Sequence, residues 1–261
     1  MNTPDYRRER GFSLVELMVA MVVGLLLLAG VLQILLANRE AFDAQRGRGH
    51  LQENARLASF MLENVVAHAG FRTDLTGDLE QVFRANDTLG ADFRPGAVVS
   101  SQSNTQGQSD TLYIRFQGEG SVHNCRGASI GSPGSPETTY VSLFVEQSRT
   151  LMCRYVTDDK NPSTAQLVEG VDRFEVRYGL DTDDDNSADR YVSDLTAAQA
   201  AQVVSVRIQL LLRTLDEENL LPVAQQPDYV FSDGSDTGDM PADRAGRLFL
   251  DQTIALRNTL Q

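Results

Sequence analysis

The densest set of side chains able to do chemistry is Asp181-Thr-Asp183-Asp184-Asp185-Asn186-Ser187-Ala188-Asp189. Asp181, Asp183, Asp185 and Asp189 fall at positions one, three, five and nine of a loop. Hard carboxylate oxygens at that spacing suit Ca²⁺. Two parts of the twelve-residue calcium loop are replaced. Position six is Asn186 where glycine is usual, a mild change because asparagine enters the left-handed region. Position twelve is Val192 where a bidentate glutamate is usual, so another carboxylate, Asp184 or Asp189, would have to serve. The same residues also read as a solvated acidic hairpin tip, and both readings stand on sequence grounds.

Gly127-Ala-Ser129-Ile-Gly131 matches the nucleophile pattern of serine hydrolases. That chemistry needs a strand before the serine and a helix after it. Here Cys125-Arg126 precedes and a Pro/Gly/Ser loop follows, so Ser129 is not expected to act as a nucleophile. No phosphate loop, dinucleotide fingerprint or His-Glu metal motif occurs. His50, His68 and His123 are scattered, without carboxylate or cysteine at ligand spacing. With no activated nucleophile or convergent acid–base set, the chain is not expected to be an enzyme. Its net charge of −13 argues against nucleic acid as a partner, because phosphate binding needs a basic surface.

Glu16 is a different kind of chemical residue. It heads a run from Leu17 to Asn38 that contains no charge. A charge within a bilayer span costs roughly 2.5–3.5 kcal/mol even on a lenient scale, so the carboxylate calls for a partner. As a helix the uncharged run spans roughly 33 Å, enough to cross a bilayer core. Arg7, Arg8 and Arg10 precede it and mark the cytoplasmic side, which leaves the bulk of the chain outside. The run is too long for a usual signal-peptide core, and no small-x-small cleavage site follows it. In an exported region Cys125 and Cys153 are expected to form a disulfide. Closing a loop of about 27 residues contributes on the order of 3 kcal/mol. The bland alternative is two unrelated buried thiols.

The elements that must position these residues follow from periodicity. Leu51, Ala55, Ala58, Leu62 and Val65 recur at helical spacing and predict that the helix continues beyond the apolar run, over about 12–69. Gly47 and Gly49 mark a place for a bend, and Gly70 a C-cap. Residues 71–109 read as loop, with a short apolar run at 97–99 and a polar, mobile stretch at 100–108. Strands are predicted at 111–116, 140–146, 150–156, 171–178 (with 166–168 leading into it), 203–212 and 248–256. Residues 131–136 and 225–243 read as loops. The pattern is α+β: a long helix before an antiparallel sheet.

Gly11-Phe12-Ser-Leu-Val-Glu16 with its apolar continuation resembles the start of type IV prepilins and type II secretion pseudopilins. The blocks from Leu167 to Asp181, Val203 to Arg213 and Thr253 to Asn258 resemble the PilW minor pilins, relatives of the J-type pseudopilin. The resemblance implies a pilin-like fold in three parts: a leader peptide over 1–11, a long helix over 12–70 and a periplasmic β-rich domain over 71–261. It implies that prepilin peptidase cuts after Gly11 and that Phe12, the new N-terminus, is methylated. Glu16, the fifth mature residue, would pair with the N-terminal amine of a neighbouring subunit. The expected partners are other minor pilins, the major pilin and the assembly platform. The expected location is the inner membrane and then the pilus. Expected roles are priming of assembly, at the tip, in support of twitching, adhesion or DNA uptake. A J-type secretion pseudopilin is the alternative, and a membrane-anchored acidic ligand-binding protein a third. Major pilins often carry a proline within the apolar helix; this chain has only Gly24 and Gly30 there.

Overall fold

The computed structural model describes residues 13–102, 108–157, 161–215, 227–235 and 243–259. Gly11 and Phe12 lie outside the described residues, as do most of the polar stretch at 103–107 and parts of the acidic segment at 225–226 and 236–242. The chain divides into two compact units, residues 1–46 and 47–261.

Helix α1 (Leu14–Val66) is a single element and stays α-helical through Gly47 and Gly49. Its start is set by local chemistry. Ser13 Oγ accepts a hydrogen bond from the backbone N–H of Glu16 at 3.2 Å, which satisfies one of the orphan donors of the first turn. Ser13-x-x-Glu16 is the capping-box pattern, and the glutamate also sits favourably against the positive end of the helix dipole. In the first unit the apolar side chains from Leu14 to Leu36 are all exposed. In the second unit Leu51, Ala55, Ala58, Leu62 and Val66 are buried. The sequence pattern placed Val65 on this stripe. The residue four after Leu62 is Val66, and it takes the fully buried position while Val65 is half-buried. Beyond Val66 the chain makes a turn that closes at Gly70, whose φ of +76° is a left-handed value that glycine adopts at least cost.

Two main antiparallel sheets follow, where the sequence suggested one. The first is a five-stranded meander in the order β3 (Val99–Gln102), β4 (Thr111–Gly118), β5 (Glu137–Val145), β6 (Thr150–Thr157) and β7 (Ser163–Glu169). The second runs β11 (Arg247–Ala255), β10 (Val203–Arg213), β8 (Val171–Leu180) and β9 (Arg190–Val192). The chain passes from β7 to β8 through Gly170 alone. Its φ is +73°, and a Cβ there would stand 2.6 Å from the carbonyl oxygen of Arg213. One core unites α1 with the inward residues of both sheets, among them Leu112, Ile114, Phe116, Leu143, Leu151, Phe174, Val176, Ile208 and Leu210. Strand alternation delivers these faces. In β10, Val206, Ile208 and Leu210 point inward while Arg207 and Gln209 meet Asp251 on the other face.

The segment 71–109 is not the plain loop that its composition suggests. It forms a short helix α2 (Leu79–Val82), a hairpin of β1 (Asn86–Thr88) with β2 (Ala91–Phe93), and then β3. These pieces gather around Arg115 on the outer face of β4. Its guanidinium is fully buried and lies against the rings of Phe83 (5.3 Å) and Phe93 (4.9 Å). It donates to the carbonyl oxygens of Ala97 (2.6 Å) and Phe83 (3.1 Å), and also to those of Arg84 and Arg94. Burial pulls its pKa down to about 10, against an opposing contribution from Tyr140. One side chain thus supplies the hydrogen bonds that a loop without regular structure would lack. Beside it, Ala91 and Phe93 pack with Tyr113, Tyr140 and Val156 in a second small core.

Candidate functional site

The first candidate is the N-terminal part of α1. It is long and apolar enough to cross a membrane, and its apolar stretch is exposed throughout. Glu16 lies within the first turn and is exposed, held in register by the Ser13 cap. No cation is paired with it among the described residues, so the compensation that its carboxylate calls for in an apolar medium must come from elsewhere.

The structure joins Cys125 and Cys153 in a disulfide, with Cα atoms 6.3 Å apart. Cys153 is fully buried in β6, and Cys125 lies in the excursion between β4 and β5. The bond therefore ties a 119–136 loop to the centre of the meander. The serine of the hydrolase-like pattern sits in that loop. Ser129 bridges His123 across a small antiparallel turn and donates from its hydroxyl to the carbonyl of Gly120 at 2.8 Å. No helix follows it. The final glycine of the pattern has a packing role: a Cβ on Gly131 would lie 2.3 Å from the carbonyl oxygen of Gly118. His68 packs its ring against Phe116 at 5.6 Å and approaches the Asn64 carbonyl, a helix-end role in keeping with the sequence.

The acidic loop connects β8 to β9. It brings Asp181, Asp183 and Asp189 together, with carboxylate oxygens within 4.8 Å of one another. Asp185 does not join them; its carboxylate accepts the N–H of Ser187 at 2.7 Å. The four-ligand set expected from loop spacing is thereby reduced to three. Asp184 and Asn186 take left-handed φ values of 61° and 66°, the conformation expected for Asn186. Asp181 is buried, and its two oxygens receive the N–H groups of Asp183, Asp185 and Asn186 at 2.7–3.3 Å. It organises the turn as an acceptor. Repulsion from Asp185 and then Asp189 holds the Asp183 carboxyl above its usual range. Hydrogen bonds from Thr182 hold Asp189 below its own. Three converging oxygens could receive a hard cation, and the hydrogen-bonded turn accounts for the same residues without one.

An ionic layer that no local sequence pattern announces covers the outer face of the second sheet. Arg173 pairs with Glu175 (2.7 Å) and Asp233 (2.8 Å), and its guanidinium stacks on Phe231 at 4.5 Å. Asp172 meets Arg247 at 2.8 Å, and Asp243 pairs with the same arginine at 2.9 Å. These pairs pin residues 227–235 and 243–246 onto the sheet. Burial raises Glu175 to about 7, against the opposing hydrogen bond from Arg173. The alternation of Arg173, Glu175 and Arg177 was legible as one strand face; its burial under a distant segment was not.

A long apolar helix capped at its first turn, followed by antiparallel sheets that bury the helix's second half, defines a type IV pilin-like protein. Residues 6–32 match the prokaryotic N-terminal methylation motif, and residues 138–258 match the family described as type IV pilus-assembly protein W. The chain thus carries a PilW domain behind a pilin-type methylation motif. No curated protein sequence matches it. Among solved structures it is similar to a type IV-like pilin from Thermus thermophilus, with a TM-score of 0.47 and 15% identity over 80% of this chain and 98% of that one. It is also similar to a binary complex of two pseudopilins from the type 2 secretion system of Vibrio vulnificus, with a TM-score of 0.40 and 9% identity over 81% of this chain and 94% of that one.

Proposed function

We propose that this chain is a minor pilin that enters the inner membrane through α1, loses residues 1–11 to prepilin peptidase and is methylated on Phe12. The observation that carries this reading is the union, on one chain, of a methylation motif over residues 6–32 and a PilW domain over residues 138–258. Glu16 supports it physically. In the plane of the membrane its carboxylate is unpaired; beside a neighbouring subunit it meets the α-amine that cleavage after Gly11 creates. A pair of that kind fixes register as much as it adds stability. The domain after α1 stays in the periplasm until assembly. The subunit then joins other minor pilins, primes the pilus on the assembly platform and remains at the tip, where the major pilin extends below it. Motility, adhesion or DNA uptake follow from that position. The role is structural, and the acidic surface suits protein partners better than nucleic acid.

A deletion strain tests the machine it serves. Loss of twitching with protein secretion intact supports the pilus, and the reverse result assigns the chain to a secretion pseudopilus. Gly11→Asp in the chromosomal copy should leave an unprocessed, unassembled precursor. Full function of that variant would point instead to a membrane-anchored binding protein.

A further inference from the structure

An acidic chain of net charge −13 has most of its buried arginines matched to carboxylates or carbonyls, and one place stands apart. Residues 70–73 and Leu75, just after α1, and Arg257–Asn258, just after β11, line a cleft of about 500 Å³ together with Glu119 and Ser121. Arg72 reaches into it. One terminal nitrogen donates to the Asn258 carbonyl at 3.2 Å, while its Nε is buried with no acceptor. Arg257 lines the same cleft, exposed, with no ion pair or hydrogen bond among the described residues. The neighbouring carboxylates are engaged: Asp74 accepts from Thr76 at 2.6 Å, and Glu119 accepts the N–H of Gly134. At the mouth Leu75 is 77% exposed.

A buried donor without an acceptor costs free energy until a ligand supplies one. Arg72 feels the charge of Asp74 yet keeps an unused N–H, and Arg257 has no ion pair among the described residues; such guanidinium donors match a carboxylate, which arginine binds through paired N–H groups. The bare leucine beside them adds an apolar contact that a free phosphate would not use. We propose that this cleft docks an acidic–apolar segment of a partner protein, with an Asp or Glu carboxylate held between Arg72 and Arg257 and an adjacent apolar side chain on Leu75. The proposal does not depend on how the N-terminus is processed.

The test uses the full chain in detergent and two fluorescein-labelled peptides, Leu-Asp-Leu-Glu-Leu-Asp and its amide counterpart Leu-Asn-Leu-Gln-Leu-Asn, followed by anisotropy. The acidic peptide should bind about tenfold or more tightly than the amide. Arg257→Glu should abolish that preference, Arg257→Lys should keep part of it, and Leu75→Ser should weaken binding of the acidic peptide. Arg257 is exposed and makes no hydrogen bond or ion pair among the described residues, and an unchanged melting temperature for each variant separates an effect on the cleft from one on folding. Equal binding of both peptides, or unchanged binding by Arg257→Glu, overturns the proposal. So does Arg257-dependent binding of inorganic phosphate or phosphatidylglycerol vesicles without peptide binding, which would make the cleft a phosphate site.

Discussion

Replacing Arg115 by methionine tests whether one buried cation organises the segment between α1 and β4. Methionine keeps much of the stem volume and removes every donor. Four carbonyl oxygens lose a partner, but the loss is unequal. The Phe83 oxygen still receives Gly96 N–H at 2.8 Å, and the Arg94 oxygen still receives Ala97 N–H at 3.2 Å. The oxygens of Ala97 and Arg84 are left without a donor. An unsatisfied buried polar group costs about 1–3 kcal/mol, so two cost about 2–6 kcal/mol. Loss of the cation–π contacts with Phe83 and Phe93 adds about 1 kcal/mol or more. Relief of the guanidinium's own burial offsets part of this. A net loss of about 3–4 kcal/mol follows, a large share of the 5–15 kcal/mol typical of a domain. Thermal unfolding followed by circular dichroism should show a fall of roughly 10 °C. Limited proteolysis should open residues 79–98 first. Arg115→Lys should also destabilise, because a point ammonium cannot replace the planar fork. A methionine variant within about 0.5 kcal/mol of the parent would refute the reasoning.

The Glu175 carboxyl titrates near 7 in the folded chain against a usual 4.5, so between those values the native state binds more protons than the unfolded one. Stability from this group therefore falls as pH rises from 4.5 to 7; Glu175→Gln should flatten that fall and raise the melting temperature at pH 8. Asp181→Ala removes the acceptor of three backbone N–H groups and should cost about 2 kcal/mol, read by chemical denaturation. An acidic turn without an ion predicts no melting shift at millimolar Ca²⁺; a shift that Asp183→Ala abolishes would establish a cation site. Opening the disulfide with Cys125→Ser, whose side chain lies outside the deepest core, should cost about 3 kcal/mol at neutral pH.

Much of this architecture was legible because it rests on local periodicity. The stripe of Leu51, Ala55, Ala58 and Leu62 announces a helix packed on a domain, and the alternation of Val206, Ile208 and Leu210 with Arg207 and Gln209 announces a strand between two faces. What escaped is non-local. Nothing near Arg115 says that Phe83, Arg84, Arg94 and Ala97 will fold back around it, so residues 71–109 read as loop. Gly170 looks like an ordinary turn, yet it moves the chain from one sheet to the other. Loop spacing placed four aspartates in one set, while the left-handed backbone at Asp184 and Asn186 turns Asp185 aside. The processing residues are the reverse case. Gly11 and Phe12 can be read in the sequence and lie outside the described structure, so chemistry and not geometry must examine them.

The central claim is that this chain is a processed pilin-like subunit, and intact-mass and N-terminal peptide mass spectrometry of the protein from cells with active prepilin peptidase addresses it most directly. The expected result is a mature chain that begins at Phe12 and carries one N-methyl group. An intact Met1 with residues 1–11 still attached in those cells would contradict it.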